Sequence, residues 1–199
     1  GRRDDVGLIV QGGLYNSLIR ALQQLGLADT FGESELPILA LNVTFPLVPE
    51  EITRFCAGKR AVLVLEEGQP EYIEQDILST LHRLDIQTPL HGKDLLQATG
   101  EYTVEAMASG LAKFVARYLP AHAIDGARAW LEGNAKRRQD VAQQLGAPLP
   151  ARPPGFCVGC PERPVFAALK LAQQDVGPVH IAADIGCHAL ATFEPFSSG

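Results

Sequence analysis

Cys157-x2-Cys160 and Cys187 are the residues of this 199-residue sequence whose types and spacing most directly suggest chemistry. Two thiolates three residues apart grip one metal, and soft sulfur ligands suit zinc or an iron–sulfur cluster. Cys187 follows Asp184-Ile185-Gly186 at the end of a predicted strand, Val179–Ala183. In an open α/β sheet, ligands bind at that edge. A lone Cys-x-x-Cys also accommodates a redox dithiol or two structural thiols. The redox arrangement places the pair at a helix N-terminus after a strand. Here Pro153-Pro154-Gly155 precede the pair and Pro161 follows it. A closed zinc site needs a fourth ligand; His180 and His188 are candidates, and neither has zinc-finger spacing. Cys56 stands alone at a helix end and reads as a small core residue.

Other chemistry-bearing residues give weaker patterns. Gln11-Gly12-Gly13-Leu14-Tyr15-Asn16 lies between a strand and a helix, where anions bind. It is not Gly-x-Gly-x-x-Gly, and a plain turn is the simpler reading. Glu66-Glu67 closes a strand. Adjacent residues point in different directions, so the pair is read as an interface or surface feature and not an acid/base dyad. His82, His91 and His122 have no partner pattern and are taken as core or surface residues.

These residues need elements to position them. Gly7–Gln11, Pro37–Leu41 and Ala61–Leu65 are short apolar runs of the kind that form strands buried on both faces. Between and after them, 16–25, 49–55, 73–84 and 103–118 carry apolar residues at helical spacing. Gly26 stops the first helix, and Pro49-Glu50-Glu51 opens the second. The alternation implies βαβ units and a parallel sheet. Residues 132–140, with Lys136-Arg137-Arg138, read as a solvated helix face. Leu145–Gly155 carries four prolines in LGAPLPARPPG and reads as an extended linker. Beyond it a helix is predicted over Arg163–Gln173. Net charge is −6, which leaves no basic footprint for nucleic acid or an anionic membrane. No apolar run approaches the roughly 20 residues of a membrane helix. Four cysteines are too few for a disulfide scaffold. The start without Met and the stop just after the Cys187 segment suggest a piece of a longer cytoplasmic protein.

RPPGFCVGCPERPVFAALK at 152–170, with Ala183-Asp184-Ile185-Gly186-Cys187, resembles the indolepyruvate ferredoxin oxidoreductase family. These are thiamine-diphosphate-dependent 2-oxoacid:ferredoxin oxidoreductases. GLIVQGGLYNSLIRALQQLGL, VLVLEEGQPEYIEQDI and HGKDLLQATGEYT are similar to the region before the thiamine domain in the same family, and the form of the cysteine motif is closer to the long fused enzymes. The resemblance implies a transketolase C-terminal-like α/β domain over 1–120, a helical and Pro-rich linker over 121–150, and the truncated start of a thiamine-diphosphate domain over 151–199. It implies Cys157, Cys160 and Cys187 as three of four ligands to a [4Fe-4S] cluster. It also places Ile185, Gly186, Cys187 and His188 at thiamine diphosphate, whose Mg²⁺ ligands lie elsewhere, and no catalytic residue in this stretch. The implied reaction is oxidative decarboxylation of an aryl pyruvate to an acyl-CoA. Ferredoxin, CoA, the remaining domains or subunits and a second copy of the full-length enzyme would be its partners. From another class, a non-catalytic α/β interaction module with a structural Cys-rich zinc site accounts for the same cysteines.

Overall fold

A computed structural model describes residues 3–120, 122, 124–148, 155–182 and 186–197. The chain divides into two compact units, Gly1–Gln144 and Leu145–Gly199.

The first unit is built on a four-stranded, all-parallel sheet in the order β2-β1-β3-β4. β1 is Val6–Gln11, β2 Ile38–Leu41, β3 Ala61–Leu65 and β4 Leu90–His91. β1 pairs with β2 through Leu8–Ile38 and with β3 through Leu8–Leu63; β4 joins β3 through Leu63–His91. Every residue of β3 and the first five of β1 are buried. Side chains alternate between two cores, as a pleated strand requires. Leu8, Val10, Leu63 and Leu65 enter one core with α1 (Tyr15–Gln24) and α4 (Val104–Tyr118). Ile9, Val62 and Val64 enter the other with α2 (Pro49–Cys56) and α3 (Tyr72–Arg83). Covering both faces explains why the strands are continuous apolar runs.

Helix boundaries follow from local chemistry. α1 buries Leu18, Ile19, Ala21 and Leu22 on one side. It ends in a Schellman motif: the Leu27 amide donates to the Leu22 carbonyl at 2.9 Å and the Gly26 amide to the Gln23 carbonyl at 3.0 Å. Gly26 takes φ of +68°, which a side chain would disfavour. At α4, the Thr103 hydroxyl caps the first turn by accepting from the Ala106 amide at 3.2 Å. Residues 125–145 form one 21-residue helix, α5. Its start packs on the first core through Ala127, Trp130 and Leu131. Of the basic run, Arg138 makes a two-pronged pair with Glu105 at 2.7 and 2.8 Å. The Pro-rich stretch 149–154 lies outside the described residues.

The second unit contains α6 (Arg163–Val176) and a 3-10 helix, Cys187–Thr192. Its aromatic centre brings Phe156, Phe166 and Phe196 together, with ring centroids 5.3 to 6.0 Å apart. The strand expected from Val179 is corrected: residues 179–182 form no strand, and 183 lies outside the described residues. An extended segment becomes a strand only when a neighbour satisfies its amides and carbonyls, and no strand of the described second unit stands beside this one. Among the described residues, no helix is long and apolar enough to cross a membrane.

Candidate functional site

Cys157 and Cys160 lie at the two ends of one tight turn. The Cys160 amide donates to the Cys157 carbonyl at 3.2 Å. Gly159, third in the turn, has φ of +74°, the value a type II turn demands there and the reason a glycine occupies it. Cys157 is exposed and Cys160 half-buried, and both thiols are free. The turn leads directly into α6, whose N-cap is Glu162. Cys187 is exposed and opens the 3-10 helix of the same unit. Gly186 precedes it with φ of +156°. The His188 ring meets Phe166 edge-on at 5.8 Å, so part of this side chain serves the aromatic centre. Ile185 and Asp184 lie outside the described residues. Among the described residues, no group of three or more His, Cys, Asp or Glu side chains is placed to hold a metal ion. The donor types suit an iron–sulfur cluster, and two of them are already joined by one turn; Cys187 is not gathered with that pair. By contrast Cys56 is fully buried, and burial pushes its thiol up to about 11 against the opposing charge of Lys59, which makes it inert.

A second concentration of polar groups occupies the carboxyl-terminal edge of the sheet. Glu66, one residue past β3, is only 5% exposed. Its two carboxylate oxygens accept from the Ile73 and Glu74 amides, both at 3.0 Å. Those are orphan donors of α3, whose own N-cap residue Glu71 makes no side-chain capping bond. Glu66 is therefore a buried group that caps α3, which corrects the interface or surface role expected from sequence. Glu67 turns the other way, its Oε2 accepting from the Tyr102 amide at 2.6 Å and its amide donating to Gln11 Oε1 at 2.8 Å. The two carboxylates thus serve different backbone amides.

Lys93 ties this edge together. Its Nζ donates to the Glu66 carbonyl at 2.6 Å and to the Tyr102 hydroxyl at 2.9 Å, and lies 4.6 Å from the Tyr102 ring centre. Burial draws the Lys93 amine below its ordinary value, although Glu66, Glu74, Glu71 and Glu67 oppose the shift. Burial also pushes the Tyr102 phenol up to about 12, reinforced by Glu66, Glu74 and Glu67. The phenol is thus a fixed donor, to the Gln97 carbonyl at 2.7 Å. Burial raises Glu74 as well, chiefly against the hydrogen bond it accepts from the Lys93 amide. A Cβ added to Gly92 would meet the Glu74 carboxylate, so any larger residue there would have to push that flexible side chain aside.

His91, which has no partner pattern in the sequence, is buried and bonded at both ring nitrogens. Nδ1 lies 2.6 Å from Asp94 Oδ2, and Nε2 lies 2.6 Å from the Tyr118 hydroxyl. A neutral ring that donates from Nδ1 and accepts at Nε2 satisfies all three groups. Burial pushes the Asp94 carboxyl up, but the Gly92 amide and the His91 ring outweigh it, so the group sits below its ordinary value. A carboxyl held low stabilises the fold fully above its unfolded value, about pH 4, and that contribution is lost as pH falls through the folded value. Asp94→Asn is therefore expected to lower stability at neutral pH and to flatten the acid limb of a urea-midpoint series. An unchanged acid limb would contradict this role. The only sequence signal was the spacing His91-x2-Asp94. His122 is also engaged, its Nε2 2.7 Å from the Leu25 carbonyl.

Beside this network, Gln11, Glu66, Glu67, Pro70, Tyr72 and Asp76 contribute to a cleft of about 790 Å³. Gln11 ends β1 and Glu66 follows β3, so the cleft lies where the strand order reverses. That is the position at which open α/β sheets receive ligands.

No protein-family profile matches the chain. Among curated proteins it is 29% identical over 202 residues to indolepyruvate oxidoreductase subunit IorA of Methanothermobacter thermautotrophicus, covering 100% of this chain and 28% of that protein. The subunit of the same name from Thermococcus kodakarensis is 29% identical over 197 residues, covering 98% of this chain and 27% of that protein. For Archaeoglobus fulgidus the identity is 28% over 191 residues, covering 96% and 27%. The chain spans little more than a quarter of the length of these relatives. Over nearly its whole length, this chain resembles part of the indolepyruvate oxidoreductase subunit IorA.

Proposed function

We propose that this chain forms part of an oxidoreductase that converts aryl pyruvates such as indolepyruvate to the acyl-CoA, releasing CO₂ and passing electrons singly to ferredoxin. The observation that supports this reading is similarity, over nearly the whole of this chain, to little more than a quarter of proteins named indolepyruvate oxidoreductase subunit IorA. In it, the parallel-sheet unit is a transketolase C-terminal-like scaffold, and the second unit begins the thiamine-diphosphate domain. Cys157 and Cys160 hold a [4Fe-4S] cluster, with Cys187 as third ligand. The free thiols at the ends of one turn suit this role. Ile185, Gly186, Cys187 and His188 are assigned to thiamine diphosphate, whose Mg²⁺ ligands would lie outside this chain. When bound, these groups supply carbanion stabilisation at the 2-oxo carbon and one-electron transfer. The chain's own part is to hold and orient: Gly159 sets the turn that spaces the two thiols, and the Phe156–Phe166–Phe196 cluster fixes that turn beside α6.

The 199-residue chain alone is expected to bind thiamine diphosphate weakly and to show no turnover, because the Mg²⁺ and aminopyrimidine contacts are assigned outside it. Titration calorimetry with thiamine diphosphate and Mg²⁺ tests this. Tight, stoichiometric binding would overturn the assignment.

A further inference from the structure

The cleft at the β1/β3 reversal is not used by the cofactor reading, and its composition is one-sided. Glu67 and Asp76 are among the residues lining it, and no lysine, arginine or histidine among the described residues lines it. Glu66 is spent on the α3 amides, and one oxygen of Glu67 on Tyr102. The Asp76 carboxylate, on α3, makes no side-chain hydrogen bond or ion pair among the described residues. Two aromatic side chains stand at the same cleft while strongly exposed, Phe45 at 86% and Tyr72 at 68%. Large aromatics left in water beside a concave surface mark an interaction site. Carboxylates beside aromatic faces recognise a cation whose stem is apolar, and a guanidinium meets both requirements through bidentate pairing and stacking.

We infer that this cleft is a docking site for a polypeptide partner that inserts an arginine, flanked by apolar residues, between Phe45 and Tyr72 and onto Asp76 and Glu67. Charge complementarity selects this occupant. A neutral apolar segment would strand two carboxylates under it, and an acidic one would be repelled. The site goes beyond the proposed oxidoreductase reading, and its test reads neither cluster nor turnover.

The test is amide NMR of the 199-residue chain titrated with acetyl-Leu-Arg-Phe-amide. The expected result is saturable shifts centred on Gly68, Tyr72 and Asp76. Acetyl-Leu-Glu-Phe-amide should leave these resonances unmoved. Asp76→Lys should weaken the arginine peptide roughly tenfold or more and admit the glutamate peptide instead. Tyr72→Ala, which removes an exposed ring, should weaken the arginine peptide with the spectrum otherwise intact. Four results would overturn the proposal. These are no shifts at the cleft; equal response to both peptides; arginine methyl ester binding as tightly as the peptide, which makes it a small-cation site; and the same resonances moving with protein concentration alone, which makes the occupant a second copy.

Discussion

Replacing Cys160 with alanine is expected to lower aryl-pyruvate-dependent ferredoxin reduction by roughly a hundredfold or more, with loss of bound iron. The argument starts from the turn. Cys157 and Cys160 are joined by a single backbone hydrogen bond across Val158-Gly159, so their spacing is set by four residues. Removing one thiol leaves a single, exposed cysteine in the turn, so the turn itself no longer chelates. The first unit should be unaffected, because its core is built from other residues. Far-ultraviolet circular dichroism checks that the fold persists, and iron analysis checks the ligand role. Gly159→Val should have a similar, smaller effect while keeping both thiols, since a β-branched residue resists φ of +74°. Full activity with full iron in Cys160→Ala would remove this cysteine from the ligand set.

The second large effect concerns stability. Glu66→Ala is expected to cost about 3 kcal/mol, read as a shifted urea midpoint with an unchanged slope. The variant would leave two amides of α3, one buried and one part-buried, without an acceptor and take a negative charge from the positive end of that helix. Glu66→Gln keeps one acceptor oxygen and should lose about half as much. A loss below about 1 kcal/mol in Glu66→Ala would mean that water replaces the carboxylate at these amides.

These residues also show what a linear reading recovers. Ala61–Leu65 and Gly7–Gln11 were legible because a strand buried on both faces is an almost wholly apolar run; the structure starts the latter strand one residue earlier, at Val6. The first three helices announced themselves by apolar spacing and by Gly26 and Pro49. β4 is two residues long, too short for any periodicity, and it exists because Val62 and Leu63 offer it an edge. α5 is polar along most of its length and gains its position from Trp130, Leu131 and the Arg138–Glu105 pair, which are contacts over long sequence distances. Val179 illustrates the converse: an apolar run without a neighbouring strand stays irregular. The cysteine motif was legible because its chemistry is local. The Glu66–Lys93–Tyr102 network was not, since β3, α3 and the segment after β4 meet there only in the folded chain. His91 and Tyr118 are 27 residues apart for the same reason.

The most direct test of the central claim is the iron and acid-labile sulfide content of the native polypeptide, purified without oxygen from its own source, beside a Cys187→Ala variant. The account predicts about four irons and four sulfides per chain at this site, lost in the variant. Stoichiometric zinc without sulfide, in a protein indifferent to thiamine diphosphate, would contradict it and identify the two-cysteine turn as a structural zinc knuckle.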